Sequence, residues 1–253
     1  MDTKRRSRRY GPQPPPPQVT RHDPPLRGVR LLVAVPCYGG IHPAWVLSLA
    51  KGIAVFAGAG VEHNLLLKSE AEIVSLRNDL ATQCLTGGAT HLLFTDADQS
   101  WNPDDVVRWL RANLPVVGAP YAKKEHPTVL TCTAKDPRET CARGGGAFVR
   151  ASRLGTGLVL ISREALESLA VSVTRYVAED GGSRLDFFGT LYPTLPSGLT
   201  GRLSEDVSFA TRLDRAGIPM WIDPEAVSVH YDGRGSAYEV TDAQRADLRG
   251  TSL

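Results

Sequence analysis

The chain has 253 residues, a formal net charge of +2, 42% hydrophobic and 22% charged residues, an ordinary globular usage that excludes wholesale disorder, collagen and coiled coil. No apolar run reaches the ~18 residues that a membrane helix needs. The basic N-terminus leads into prolines rather than an apolar core, so no signal peptide is expected either, and a cytoplasmic protein without a membrane partner is the expectation. The net charge hides an asymmetry. Residues 1–30 carry eight basic side chains against Asp2 and Asp23, a net of +6, which leaves −4 for the rest. Attraction to polyanions is therefore concentrated at the N-terminus. Cys37, Cys84, Cys132 and Cys141 lie too far apart for a zinc motif and read as reduced structural thiols.

In chain order, residues 11–25 (GPQPPPPQVTRHDPP) cannot form a helix or a central strand, because proline fixes φ and lacks the donor. Residues 1–28 are thus expected as a basic, proline-rich disordered tail, 29–240 as one domain, and 241–253 as a C-terminal tail. Val29–Val35 (VRLLVAV) is a β-branched apolar run stopping at Pro36, as a strand buried on both faces reads. His42 to Ala59 has helical spacing, with Trp45, Leu49 and Ile53 along one stripe. Val61–Leu67 reads as a second strand. Ser69 to Leu85 reads as a helix ended by Gly87-Gly88, and Thr90–Thr95 as a third strand running into Asp96-Ala97-Asp98. A helix opens at Asn102 or Pro103, and Pro115–Gly118 is a fourth strand. This alternation predicts an α/β fold built on a parallel, doubly wound sheet with helices on both faces, whose ligands sit at the carboxyl ends of strands. Beyond Ala119, short strands at Val129–Thr133 and Gly157–Ile161 and a capped helix over Ser162–Leu169 predict a mixed region that completes the sheet and builds an acceptor surface, rather than a separate domain.

Three constellations carry chemistry. Asp96 and Asp98 follow a buried strand, where two carboxylates one residue apart can face the ligand crevice and hold a hard divalent cation; the same residues also suit an Asp-rich turn opening a helix. Glu205 and Asp206 open an amphipathic helix. Asp206 there enjoys the helix dipole, or serves as a general base toward an acceptor hydroxyl. His230 lies where a strand-like run, Ala226–Val229, meets a Gly-rich loop, a position suited to a metal or phosphate contact. Arg77, Asn78, Lys123 and Lys124 are candidates for holding a diphosphate. Neither of the common glycine-rich phosphate loops occurs.

Taken together, LLVAVPCYGG, SLRND, THLLFTDADQSWNPDDV, GTGLVLISREAL and LSEDVSFATRLDRAGIPMWIDPEAVSVH resemble the GT-A fold glycosyltransferases, in the compact form common in bacteriophage genomes. The resemblance spans roughly residues 29–235. It implies a mainly parallel, Rossmann-like sheet with a mixed acceptor-side region, and transfer of a sugar from a nucleotide-sugar, UDP-linked for preference. It places Pro36, Cys37 and Tyr38 along the base and ribose, and Arg77, with Asn78, Ala97 and Lys123, about the nucleotide-sugar. Asp96 then touches the ribose or metal, Asp98 and His230 bind Mn²⁺ or Mg²⁺, and Asp206, with Glu205 beside it, supplies the catalytic base. The helical membrane anchor common in the family is missing. That absence and the basic tail point to 5-hydroxymethylcytosine or 5-hydroxymethyluracil in DNA as acceptor, in the host cytoplasm if the protein is phage-encoded. A saccharide or protein acceptor is the alternative. The rival classes are a nucleotidyltransferase, which the lack of Lys or Arg in Cys37–Gly40 disfavours, and a non-catalytic nucleic-acid-binding module, which leaves the acidic loops without a role.

Overall fold

The computed structural model describes residues 24–70 and 72–251; most of the expected basic tail lies outside the described residues. The elements in order are β1 (Arg30–Cys37), α1 (Pro43–Gly58), β2 (Glu62–Ser69), α2 (Ile73–Thr86), β3 (His91–Thr95), β4 (Gln99–Trp101), α3 (Pro103–Ala112), β5 (Val116–Gly118), β6 (Thr133–Arg143), β7 (Gly146–Arg153), β8 (Leu158–Ser162), α4 (Arg163–Ala170), β9 (Arg175–Val177), β10 (Ser183–Leu185), α5 (Glu205–Arg215), β11 (Met220–Ile222), β12 (Ser228–Tyr231), β13 (Ala237–Glu239) and α6 (Asp242–Arg249). Eight strands form a central sheet in the order β2-β1-β3-β8-β5-β11-β7-β6, and β13-β12-β4 form a small second sheet.

The central sheet is mostly parallel, with helices on both faces. One core packs α1 and α3, through Trp45, Phe56, Val106 and Trp109, onto Val33, Leu93, Val117 and Leu160. The other packs α2, α4 and α5, through Leu80, Leu166 and Phe209, onto Leu32, Phe94 and Ile161. Successive residues of β1 and β3 thus serve opposite cores, which is why their sequences are apolar without alternation. Local signals set the helix starts. Pro43 follows the cap His42, whose Nδ1 accepts from Ala44 N at 3.2 Å. Asn102 caps α3 ahead of Pro103, with Asp104 and Asp105 in its first turn at the positive end of the dipole.

Several expectations need correction. β8 belongs to the main sheet, as the expected completion of the sheet requires, but it lies between β3 and β5 antiparallel to both rather than parallel; an all-apolar strand reads the same in either direction, so its sequence carries no sign of this. The buried stripe of α1 is Trp45, Ser48, Gly52 and Phe56, while Ile53 is 49% exposed. The run Val129–Thr133 forms no strand of its own: Leu130 makes one bridge to Ala122, and only Thr133 enters β6. The long hairpin β6–β7 turns through Gly144 and Gly145, both with positive φ, which a side chain would strain. Residues 241–253, read as a tail, contain α6. It is stopped by a capping box between Thr241 and Gln244 at one end and by left-handed Gly250 at the other. Among the described residues no helix is long and apolar enough to cross a membrane.

α3 is pinned by a buried carboxylate. Asp223 Oδ2 accepts from Trp109 Nε1 at 2.7 Å and from Arg108 Nε at 3.1 Å, so a charge with 1% exposure is paired as burial requires. Replacing Trp109 by Phe keeps an aromatic body but removes one donor, a loss of about 1–3 kcal/mol. At about 2–4 °C per kcal/mol for a chain of this size, thermal unfolding followed by circular dichroism should move down by several degrees; an unchanged midpoint would show that the indole donor contributes nothing.

Candidate active site

The carboxyl ends of β1, β2 and β3 share one edge of the sheet, since β1 pairs in parallel with both neighbours. At that edge the Asp96-Ala97-Asp98 loop is tied by its backbone in three directions. Asp96 N donates to Gly157 O at 2.8 Å, Ala97 O accepts from His42 N at 2.8 Å, and Asp98 O accepts from Tyr231 N at 2.9 Å. The chain then runs into β4, which pairs with β12 so that Gln99 lies opposite His230. That pairing brings a histidine 132 positions downstream to the acidic loop.

Asp96 faces α2. Its Oδ1 accepts from Arg77 Nη2 at 2.8 Å, while Arg77 Nη1 donates to Thr156 O at 3.0 Å and the guanidinium lies 5.3 Å from the centre of the Phe94 ring. Burial opposes the charge on Arg77, yet Asp96, then Tyr121 and Glu205, hold its pKa above the usual arginine value. Burial pushes the Tyr121 phenol upward, with Asp96 and Asp206 adding to it. The acidic start of α5 is therefore within electrostatic reach of the Arg77–Asp96 pair. Asp206 accepts there from Ser204 Oγ and from Val207 N.

Asp98 faces the other way. One oxygen is paired with Lys124 Nζ and the other stands 3.3 Å from His230 Nε2. Burial works to raise the Asp98 carboxyl, but hydrogen bonds from His230 and Lys124 outweigh it and hold it at about 2. The carboxylate therefore stays charged at physiological pH. The second ring nitrogen, His230 Nδ1, lies 3.0 Å from Ala122 O. A carbonyl only accepts, so Nδ1 donates there, and Nε2 is the nitrogen presented to Asp98. An imidazole nitrogen beside a carboxylate oxygen, with the far ring nitrogen donating to a carbonyl, is an arrangement that suits metal ligation, and the Lys124 ammonium shows that a cation is accepted at Asp98. Among the described residues no three His, Cys, Asp or Glu side chains gather to hold a metal by themselves, so a divalent ion would need its other ligands from a bound diphosphate and water.

The other predicted residues are placed as follows. Pro36 and Cys37 end β1 at this edge, with Cys37 Sγ donating to Gly40 O at 3.3 Å, and Tyr38 stands 78% exposed beside them. Ala97 is buried under His42. Asn78 turns away: its Nδ2 donates to Asp186 and its Oδ1 accepts from Phe188 N at 2.8 Å, so it braces the 186–188 segment. The side chain of Lys123 is exposed, and it is Lys124 that reaches the acidic loop. Four further residues belong to the site. Gln99 is fully buried, and neither atom of its carboxamide has a protein partner. Tyr121 Oη accepts from Gly157 N at 2.9 Å. A Cβ on Gly157 would lie 2.5 Å from Asp96 Oδ2 and 2.8 Å from Gln99 Oε1, and one on Gly155 2.5 Å from Tyr121 Oη. The Gly-Thr-Gly spacing before β8 was the available sequence signal. Beside α2 opens a cavity of about 1090 Å³ whose walls include Glu70, Glu72, Tyr176, Asp180 and Asp186.

No family model matches the chain, and no curated relative matches it. Solved structures do resemble it. The protein A197 from STIV superposes with a TM-score of 0.51 at 16% identity, over 85% of this chain and 95% of its own. A mutant of Drosophila beta-1,4-galactosyltransferase 7, in complex with manganese, UDP-Gal and xylobiose, gives a TM-score of 0.46 at 13% identity, over 85% of this chain and 71% of its own. The first of these likenesses shows the fold and nothing finer.

Replacing Gly157 by Ala drives a methyl group into a carboxylate that Arg77 already holds. The expected result is a folded protein with a thermal midpoint lowered by a few degrees, read by circular dichroism. An unchanged midpoint would show that the close approach of β8 to Asp96 is dispensable.

Proposed function

We propose that this chain is a glycosyltransferase that moves a sugar from a nucleotide diphosphate donor, UDP-linked for preference, to an acceptor hydroxyl, with Mn²⁺ or Mg²⁺ as cofactor. The observation that carries the reading is one loop at the carboxyl end of β3 with a carboxylate on each side: Asp96 paired with the buried Arg77, and Asp98 beside His230 and Lys124, with Glu205 of α5 in electrostatic reach of Arg77. A diphosphate leaving group needs positive charge fixed where negative charge develops. Arg77 supplies one such charge, and its buried pairing with Asp96 fixes its direction in advance. Asp98 and His230 would hold the divalent ion, which when bound neutralises the departing diphosphate. Asp206 would take the proton from the acceptor hydroxyl, and Ser204 orients its carboxylate. Direct action by Asp206 implies inversion at the anomeric carbon.

The test is a panel of nucleotide-sugars assayed for hydrolysis with and without Mn²⁺. Turnover should require the ion, and Asp98→Asn should abolish it without unfolding the protein. Asp206→Asn should leave donor binding intact and lower kcat by about 10²–10⁴-fold. A near-normal kcat would move the base role to Glu205, and absence of turnover on every donor would overturn the reading.

For the acceptor, the charge of residues 1–30, a net of +6, favours a hydroxymethylated pyrimidine in DNA. The cavity beside α2 is rich in carboxylates and repels phosphate, so the N-terminal segment would have to supply the backbone attraction. It joins the domain at the foot of β1, where Leu26 N donates to Ala59 O at 2.8 Å. That point is a strand length, ~26 Å at ~3.3 Å per residue, from the acidic loop. Transfer to hydroxymethylated DNA, none to unmodified DNA, and a slope near −5 in log K against log salt are expected if about six charges each neutralise a phosphate. Transfer to a saccharide with no glycosylated nucleoside would remove DNA and leave the enzyme class standing.

A further inference from the structure

Lys124 holds the one place that a divalent ion would need. Its ammonium sits on one oxygen of Asp98, while the other oxygen faces His230 Nε2. The lysine comes from an exposed loop whose base is fastened: Lys123 N donates to Val129 O at 2.8 Å, Thr131 N to Tyr121 O at 3.0 Å, and Ala122 bridges Leu130. Its long, flexible stem can therefore swing off Asp98 without disturbing a strand. Charge then decides when it does so. With nothing bound, Arg77 balances Asp96 and Lys124 balances Asp98. A divalent ion alone would leave the loop with an excess of two positive charges beside the ammonium, and a sugar-nucleotide diphosphate alone would add two negative ones. Arriving together they leave the balance unchanged and free the ammonium to face the diphosphate oxygens.

We propose that Lys124 is the resident counter-cation of Asp98 and yields it to a divalent ion more readily when a nucleotide diphosphate binds at the same time, so that metal and donor bind cooperatively. The inference rests on the proposed donor site and adds an order to it: each ligand raises the affinity for the other by the same factor, as linkage requires. The ion pair is partly exposed, 33% and 40% for the two side chains, so the competition it exerts is modest.

The test is a titration of the full chain with Mn²⁺, with free ion read by electron paramagnetic resonance, with and without saturating UDP. Wild type should bind Mn²⁺ weakly alone and much more tightly with UDP. In Lys124→Gln, Mn²⁺ alone should bind about fivefold more tightly, the value of one partly exposed ion pair, and the enhancement by UDP should shrink. Lys124→Arg, which keeps the charge, should behave as wild type. Thermal unfolding of each variant checks that the loop change leaves the fold intact. If Lys124→Gln binds Mn²⁺ no better than wild type while UDP still enhances binding in both, the exchange is wrong and the donor-site reading survives. If no form binds Mn²⁺ even with UDP, both the exchange and the metal-assisted reading fall.

Discussion

A guanidinium that is almost wholly buried must be paired, and much of the site follows from how Arg77 meets that requirement. Leaving such a charge alone would cost several kcal/mol. Its partners come from the three elements that have to be held together: α2 carries the arginine, the end of β3 carries Asp96, and the turn before β8 offers Thr156 O. Breaking any one contact leaves a charge or a carbonyl without its bond in a dry place. The direction of Arg77 is therefore determined before any ligand arrives, which is what electrostatic preorganisation requires.

The same crowding explains the glycines ahead of β8. Gly155 and Gly157 bring the strand entrance so close to Tyr121 and Asp96 that a Cβ would overlap them. That approach lets the backbone of Gly157 bond both Asp96 N and Tyr121 Oη. β8 then continues between β3 and β5 as a central strand. An antiparallel insertion in an otherwise parallel region places a loop from the middle of the chain at the carboxyl ends of β3 and β5, where a ligand-binding crevice forms in sheets of this kind.

Asp96 and Asp98 are one residue apart yet do different work. The backbone between them is held by His42 on one side and by Tyr231 on the other, so their side chains diverge, one toward α2 and the other toward β12. The small β13-β12-β4 sheet is the device that delivers His230. Charge is laid out on a larger scale as well: the walls beside α2 are acidic, and the excess of basic residues lies before residue 31.

The amino-acid sequence by itself determined the alternation of strands and helices through the fourth strand, the helix starts at Pro43 and Pro103, and the acidic loop at the end of β3. Those features rest on periodicity and capping, which act within a few residues. It also marked Arg77, Asp98, Asp206 and His230 as chemistry-bearing, because charged or ligating groups next to apolar runs need a reason. The tertiary structure alone decided the rest: the direction of β8, which an apolar strand does not encode; the turning of Asn78 toward Phe188; the choice of Lys124 over Lys123 at Asp98; and the burial of Gln99 opposite His230. Each depends on which distant segments become neighbours, and sheet order and strand direction set those contacts across more than a hundred residues, beyond the reach of any local pattern.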